Sequence, residues 1–580
     1  MRINKIASII GVVIVYTLIS CSKTKLKFEV VNPVKQESIK RVDGMPNLPE
    51  PFKIIDFNQL AKDYDAKVYD PNQTGKYWPL VWKDNSRKNF DQETYGIYTA
   101  MGDVRQGIEN HKGIFHESLA SIGSVLGASM VGIDKSNQKG ENYVSMLKNY
   151  FNSGTKWDIV MNNTCPEVAQ LGGGYARDWW YDVYPNVMFY AVADFYPEEK
   201  DYEAILRSVA DKFYQADNVL NGNYDYSFFD YATMEPKKNQ LCTQQDAAAG
   251  HAYVLYSAYQ KFQDLKYLEG AKSSLEALLN LEDNYFYEIL MPFGAYVAAR
   301  LNAEQGTNYD FSKILNWTFD GTSSCRTGWG VLCDNWNGYD VSGLVGSTTH
   351  NGGFAFLMNT YDTMWPLVPM VRYDQRYANT IGKWVLNAAN ASRLFYPNEI
   401  PDEHQTIPEE KEHTKGVLAY EGLIKKSHIE EYKNIEAPVA IGDGPLWAKG
   451  NPDISQFSVY GSGHVGVAGA IISRTNIENI LQLDLLATDF YKQEALPSYL
   501  YYNPNPEIKE VIISVGENEV KIYDAIKRAF ITQSAKGDFT FSIEKENSAV
   551  LIFVPKNAKI VIKEGKLYAD GIVIDYNYES

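Results

Sequence analysis

Five short stretches gather side chains able to move protons or grip a polar ligand. They are Lys112-Gly113-Ile114-Phe115-His116, Gly172-Gly173-Gly174-Tyr175-Ala176-Arg177-Asp178-Trp179-Trp180, Thr243-Gln244-Gln245-Asp246, Ser347-Thr348-Thr349-His350-Asn351-Gly352-Gly353 and Tyr460-Gly461-Ser462-Gly463-His464. Glycine lets backbone approach a ligand closely, and N–H groups at a helix start face it. A sixth cluster, Asp402-Glu403-His404-Gln405, follows Tyr396-Pro397-Asn398-Glu399-Ile400-Pro401. Between Gly328-Trp329-Gly330 and Trp336-Asn337-Gly338-Tyr339-Asp340 runs an aromatic, Gly-rich loop, a composition that usually marks function.

Two chemistries fit these residues. Hydrolysis of a glycoside needs two carboxyl groups facing each other across the scissile bond, and Asp178, Asp246 and Glu403 can supply them. Elimination at C4–C5 of a uronic acid needs a cation or amide on the carboxylate, a base for the C5 proton and an acid for the group leaving C4. Arg177, Tyr175, His350, Asn351, His404 and His464 form the larger of the two sets, so elimination, of lyase or dehydratase type, is the main expectation. His350 is the first choice of base, on the expectation that it sits at a helix start where the dipole keeps imidazole neutral. Arg177, Asn351, Gln245 and Asp246 are expected to bind substrate, with Trp329, Trp336 and Tyr339 stacking on sugar rings. The alternative is an exo-acting glycoside hydrolase using paired carboxylates, and a further one is a surface lipoprotein that only binds glycans. Each residue also has a plainer role: Asp178 and Asp246 as helix N-caps, His350 and His464 as satisfied structural groups, Glu403 in a solvated acidic loop.

These residues must be positioned by helices. An apolar helix, a polar turn and a second, amphipathic helix recur in His116–Phe151, Asp178–Asp217, Asp246–Leu279, Tyr285–Phe319, His350–Asn390 and His464–Tyr491. Apolar first members belong inside and charged second members outside. The expected fold is therefore mainly α: an (α/α)6 toroid over residues 96–504, its funnel lined by the inner-helix starts, rather than a linear solenoid. After about residue 505, β-branched runs such as Val511-Ile512-Ile513-Ser514-Val515 predict a small antiparallel β domain (505–580). Residues 21–95 read as a lead-in segment.

The 580 residues are 45% hydrophobic and 22% charged, an ordinary globular balance. A net charge of −17 without long Lys/Arg runs argues against nucleic-acid binding, while 42 Tyr and 11 Trp suit surfaces that stack on sugars. Residues 1–20 have the charged start and short apolar stretch of an export signal, ending in Leu18-Ile19-Ser20-Cys21, a bacterial lipobox in which Cys21 would be lipidated. A lipid anchor in the cell envelope, the outer membrane by preference, follows. Cys165, Cys242, Cys325 and Cys333 lack metal-site spacing, so neither metal nor cofactor is expected, and Cys325 with Cys333 is the nearest pair for a disulfide.

The lipobox, the inner-helix loops with Gly173-Gly174-Tyr175-Ala176-Arg177-Asp178-Trp179-Trp180, and the β tail together resemble the secreted six-hairpin carbohydrate-active lipoproteins of Bacteroidetes polysaccharide-utilisation systems. Within that group the chain is similar to enzymes degrading ulvan-type, uronate-containing oligosaccharides, including an oligosaccharide dehydratase type. The resemblance implies an acidic oligo- or polysaccharide substrate; no catalytic motif matches residue by residue.

Overall fold

A computed structural model of the protein describes residues 32–74, 78–84, 89–91, 93–97, 117–162, 178–442 and 456–579. Its principal helices are α1 (Phe57–Val68), α2 (Ser118–Met130), α3 (Trp179–Phe195), α4 (Tyr202–Leu220), α5 (Ala247–Phe262), α6 (Leu265–Leu279), α7 (Met291–Gln305), α8 (Ser312–Asp320), α9 (Leu357–Tyr373), α10 (Ala378–Ser392), α11 (Val459–Gly463) and α12 (Val465–Ile471). The protein is mainly helical. Helices α2, α3, α5, α7, α9 and the α11–α12 pair each pack on the next, and α11 and α12 return to α2, closing an (α/α)6 ring.

Burial sorts the two layers. Helix α3 is buried at every position from Trp179 to Ala193, so it lies inside. Its partner α4 buries one stripe, Tyr202, Ile205, Leu206, Val209, Phe213 and Leu220, and leaves the opposite face to water. Aromatic side chains fill the lumen. Phe293 packs against Tyr184, Tyr253 and Trp365 with ring centroids 6.1, 4.9 and 5.5 Å apart, and Trp365 meets Phe490 at 5.4 Å.

The sixth pair departs from expectation. Helix α12 runs straight into a strand at Ile472, so His464–Tyr491 is not a hairpin. Its outer partner is α1, from the presumed lead-in, which packs on α12 and α2. The glycines there serve the crossing of helices, not a ligand. A Cβ on Gly466 would lie 2.1 Å from the Gly127 carbonyl oxygen, and one on Gly127 would lie 2.2 Å from that of Gly463.

Two β regions complete the chain. Strands β1 (Trp329–Val331), β2 (Val345–Ser347), β3 (Phe354–Phe356), β4 (Gly422–Ile424) and β5 (Val439–Ile441) form an antiparallel sheet in the order β5-β4-β3-β2-β1, and β3 leads directly into α9. The C-terminal sheet begins at Ile472, earlier than the texture change near 505. It contains β6 (Ile472–Arg474), β7 (Leu481–Asp484), β8 (Ser498–Asn503), β10 (Val520–Asp524), β11 (Ala529–Ala535) and β13 (Asn547–Pro555), and a hairpin of β9 (Lys509–Ser514) and β12 (Asp538–Ile543) lies beside it. Alternation places Val511 and Ile513 in a separate core with Tyr501, Ile522 and Leu551. On its other side this sheet rests against α10 through β8 and β13.

The disulfide joins Cys242 to Cys325, with Cα atoms 5.2 Å apart. It replaces the expected Cys325–Cys333 bridge: Cys333 keeps a free thiol and lies beside Gly44. The fold brings Cys242 to Cys325 from 83 residues away, a partner that nearness in sequence cannot indicate.

Candidate active site

Acidic side chains collect where the inner helices start. Glu117 precedes α2, Asp178 precedes α3, Asp246 precedes α5, and Glu288 lies three residues before α7. Glu421 comes in from the sheet, its carbonyl accepting from the Leu357 N–H at the start of α9. All five are buried. Neither Asp178 nor Asp246 makes a side-chain N-cap bond, so capping accounts for neither.

Each carboxyl group has its own environment. Gln244 Nε2 donates to Asp178 Oδ1 at 2.7 Å, while Gln244 Oε1 accepts from the Trp180 N–H at 2.9 Å. Asp246 is fully buried. Its Oδ2 accepts from the Tyr287 N–H at 2.9 Å and its Oδ1 makes no hydrogen bond. Burial holds this carboxyl well above the usual carboxylate range, although the Tyr287 N–H pulls the other way. Glu288 is the contrast. Arg326 Nη1 is ion-paired with its Oε1, and Asn359 Nδ2 donates to its Oε2 at 3.0 Å. A guanidinium and an amide thus face its two oxygens, the geometry of a charge-assisted pair. Trp329 braces this arrangement: its Nε1 donates to the Glu288 carbonyl at 3.1 Å, and the Arg326 guanidinium lies over its ring at 4.0 Å. Glu288 is held in the left-handed region, φ 54°, which a non-glycine residue keeps only where its surroundings require it.

Tyr181 lies within reach of three of the group. Burial pushes its hydroxyl well up, and the charges of Glu117, Glu288 and Asp178 add to the effect. Glu288 and Asp178 act likewise on Tyr287. Tyr460 donates to Glu421 Oε1, on the α11 side. One turn below, Asp362 accepts from Tyr184 Oη at 2.6 Å and from His464 Nδ1 at 2.9 Å.

The histidines differ in placement, and of the three only His464 stands at a helix start, as the N-cap of α12. His464 is buried with both ring nitrogens engaged, Nε2 donating to the Leu119 carbonyl at 3.1 Å and Nδ1 hydrogen-bonded to Asp362 at 2.9 Å. Burial opposes a charge on this ring, but Asp362, the Leu119 carbonyl and Glu117 outweigh it and raise the imidazole. His404 is buried and donates through Nδ1 to the Glu436 carbonyl at 2.7 Å, against the edge of Tyr339. His350 is not at a helix start, because α9 begins at Leu357, beyond β3. It lies exposed in a 3-10 turn, held down in pKa by partial burial, Arg326 and His428. Asn351, at φ 46°, donates through Nδ2 to His350 Nε2 at 3.2 Å and to His428 Nδ1 at 3.1 Å.

The other expected residues divide similarly. Glu403 is exposed, as a solvated acidic loop would be. Gln245 Nε2 donates to Asp225 at 3.2 Å. Trp336 is buried, with Nε1 on Asp334 and its ring filling the space beside Gly353, so it offers no stacking face. Trp329 is a buried brace and Tyr339 a half-buried one. Tyr175, Arg177 and Cys21 lie outside the described residues. Sequence reading missed Glu117, Glu288 and Glu421. For Glu288 a signal existed: Met291-Pro292 marks a helix start, and Glu288 stands just before it.

No family model matches the chain, and no curated relative does. Among solved structures it is similar to a GH127 β-L-arabinofuranosidase from Geobacillus stearothermophilus T6, at 10% identity over 90% of this chain and 85% of that one, TM-score 0.37. It is also similar to a second GH127 β-arabinofuranosidase, at 9% identity over 94% and 85%, TM-score 0.37. A third is a glycoside hydrolase, at 10% identity over 85% and 81%, TM-score 0.35. Among the described residues no His/Cys/Asp/Glu cluster could hold a metal ion, and no helix is long and apolar enough to cross a membrane.

Proposed function

We propose that the protein is an exo-acting glycoside hydrolase, with Asp246 as general acid and Glu288 as the charged partner. One observation carries this reading: two carboxyl groups at adjacent inner-helix starts have opposite surroundings, Asp246 fully buried with Oδ1 unbonded and raised by that burial, Glu288 ion-paired with Arg326 and bonded by Asn359. The Asp246 proton passes to the leaving oxygen as the glycosidic C–O bond breaks. Glu288 meets the positive charge growing at the anomeric carbon, either attacking it or drawing a proton from the attacking water. The product's anomeric configuration distinguishes the two. A lumen filled by Trp365, Phe293 and Tyr253 favours a blind pocket, hence release from a chain end.

Elimination is supported less well. His464 has both nitrogens engaged, by Asp362 and the Leu119 carbonyl, His404 has Nδ1 on the Glu436 carbonyl, and His350 is exposed in a 3-10 turn and not at a helix start. Among the described residues, Arg326 and His464 are already paired with Glu288 and Asp362. A site so rich in carboxyl groups suits a neutral sugar better than a uronate. The test is a panel of neutral aryl glycosides and oligosaccharides beside uronate oligosaccharides. Reducing sugar released from a neutral substrate, with no rise in ultraviolet absorbance on uronates, is expected. A conjugated uronate product would overturn the reading.

Export with an N-terminal lipid on Cys21 belongs to the same proposal. A disulfide such as Cys242–Cys325 persists in oxidising compartments, which supports a place outside the cytoplasm. In a producing bacterium, labelled palmitate is expected to enter the wild-type chain and not Cys21→Ser. Equal labelling of both would refute lipidation at Cys21.

A further inference from the structure

We propose that the Cys242–Cys325 disulfide is a positioning crosslink for catalysis, holding the acid-bearing segment against the segment that charges its partner. This rests on the assignment of Asp246 and Glu288 above. Cys242 begins the stretch in which Gln244 fixes Asp178 and Asp246 supplies the acid. Cys325 immediately precedes Arg326, the ion-pair partner of Glu288, and Trp329 follows three residues later as the brace of both.

One hydrogen bond already crosses between the two sides, from the Tyr287 N–H to Asp246 Oδ2 at 2.9 Å; otherwise each segment hangs on its own neighbours. Gln244 N–H donates to the Tyr226 carbonyl at 2.8 Å, and Ser227 Oγ to the Leu241 carbonyl at 3.1 Å. Across the site, Ser323 Oγ donates to the Phe286 carbonyl at 2.7 Å, and Ser324 N–H to that of Asn284 at 2.7 Å. The bridge ties these two sets directly to one another. It thereby fixes the spacing between the acid and the guanidinium that sets the other carboxylate, a distance on which turnover depends steeply. Displacement by about 1 Å in a catalytic arrangement costs on the order of 100-fold.

The experiment compares three enzymes: wild type, wild type reduced with dithiothreitol after folding, and the double variant Cys242→Ala/Cys325→Ala. Reduction and the double substitution should each lower kcat by about 10- to 100-fold with KM changed by less than about twofold, at a temperature where circular dichroism is unchanged. The double variant should not respond to dithiothreitol. Hydrogen exchange reads the same coupling without turnover: residues 242–246 and 323–329 should exchange faster on reduction, while α5 and α7 stay protected. If the double variant does not fold, the reduced wild type decides. Unchanged kcat, or unchanged exchange in both segments, would overturn the proposal. Its failure is distinct from failure of the catalytic assignment, which would show as activity retained in Asp246→Asn and Glu288→Gln.

Discussion

Glu288→Gln is expected to lower kcat by about 10³-fold or more with the fold intact, and Asp246→Asn by about 10²- to 10⁴-fold, the range for a positioned general acid. The amides keep the shapes of the side chains and remove, respectively, the charge and the proton. The two variants should differ in their response to an activated leaving group. An aryl glycoside that leaves as a stable anion needs no acid, so it should rescue Asp246→Asn and not Glu288→Gln. Stability supplies an independent reading with a definite sign. Burial raises the Asp246 carboxyl, so the folded protein holds that proton more tightly than the unfolded chain does. Its stabilising share is complete below the ordinary carboxylate range and is lost as pH rises through the raised value. Asparagine never ionises, so at alkaline pH Asp246→Asn should melt above wild type while lacking its activity. Melting at or below wild type there would show that Asp246 is not held neutral by burial. Full activity in Asp246→Asn would move the acid to another carboxyl of the ring, with Asp178 the next to substitute.

The largest loss of stability is expected at the opposite end of the ring, from Asp489→Ala. Asp489 comes from the segment between β7 and β8 and reaches the C-terminal ends of α7 and α9. Its carboxylate accepts from Tyr296 Oη at 2.6 Å, from Tyr373 Oη at 3.0 Å and from Arg372 Nη1 at 2.9 Å, with Arg300 Nη1 at 3.9 Å. Arg300 is also satisfied by Glu304 and by the carbonyls of Phe490 and Tyr491. Removing one member of a buried charge network leaves its partners uncompensated, at a cost of about 3–5 kcal/mol. The midpoint of guanidinium unfolding should fall accordingly, with kcat at low temperature close to wild type. A shift below about 1 kcal/mol would mean that water replaces the carboxylate there, the usual outcome for an exposed pair.

How far the molecule could be read from its residues depended on whether a signal was local. The pairs α3–α4, α5–α6 and α9–α10 were legible because each has an apolar helix, a turn and an amphipathic helix in unbroken succession. The sixth pair was not, because its outer helix precedes its inner one by most of the chain and no periodicity spans that gap. Asp178 and Asp246 could be picked out from their loops. Glu288 sits at the equivalent point of the fourth inner helix but in a plain apolar setting, Glu288-Ile289-Leu290, and its left-handed backbone has no glycine to announce it. Glu421 arrives from a sheet that forms only when residues 329 to 441 are brought together, a tertiary event with no linear trace. Two of the histidines misled for a related reason: both nitrogens of His464 and Nδ1 of His404 meet Asp362, Leu119 and Glu436, partners remote in sequence that only the packed molecule supplies.

Because α1 completes the ring by packing on α12, the two ends of the helical domain must find each other in time as well as in space. About 400 residues separate Val68 from Val465, and a ribosome adding roughly 5–20 residues per second takes on the order of 20–80 s to cover them. Throughout that interval α1, with Phe57, Ala61, Tyr64 and Val68 along one face, has α2 and the Asp65–Lys135 ion pair to hold it, and its packing on α12 must wait. The seam between α1 and α12 is therefore the last part of the ring that can close, wherever the chain folds.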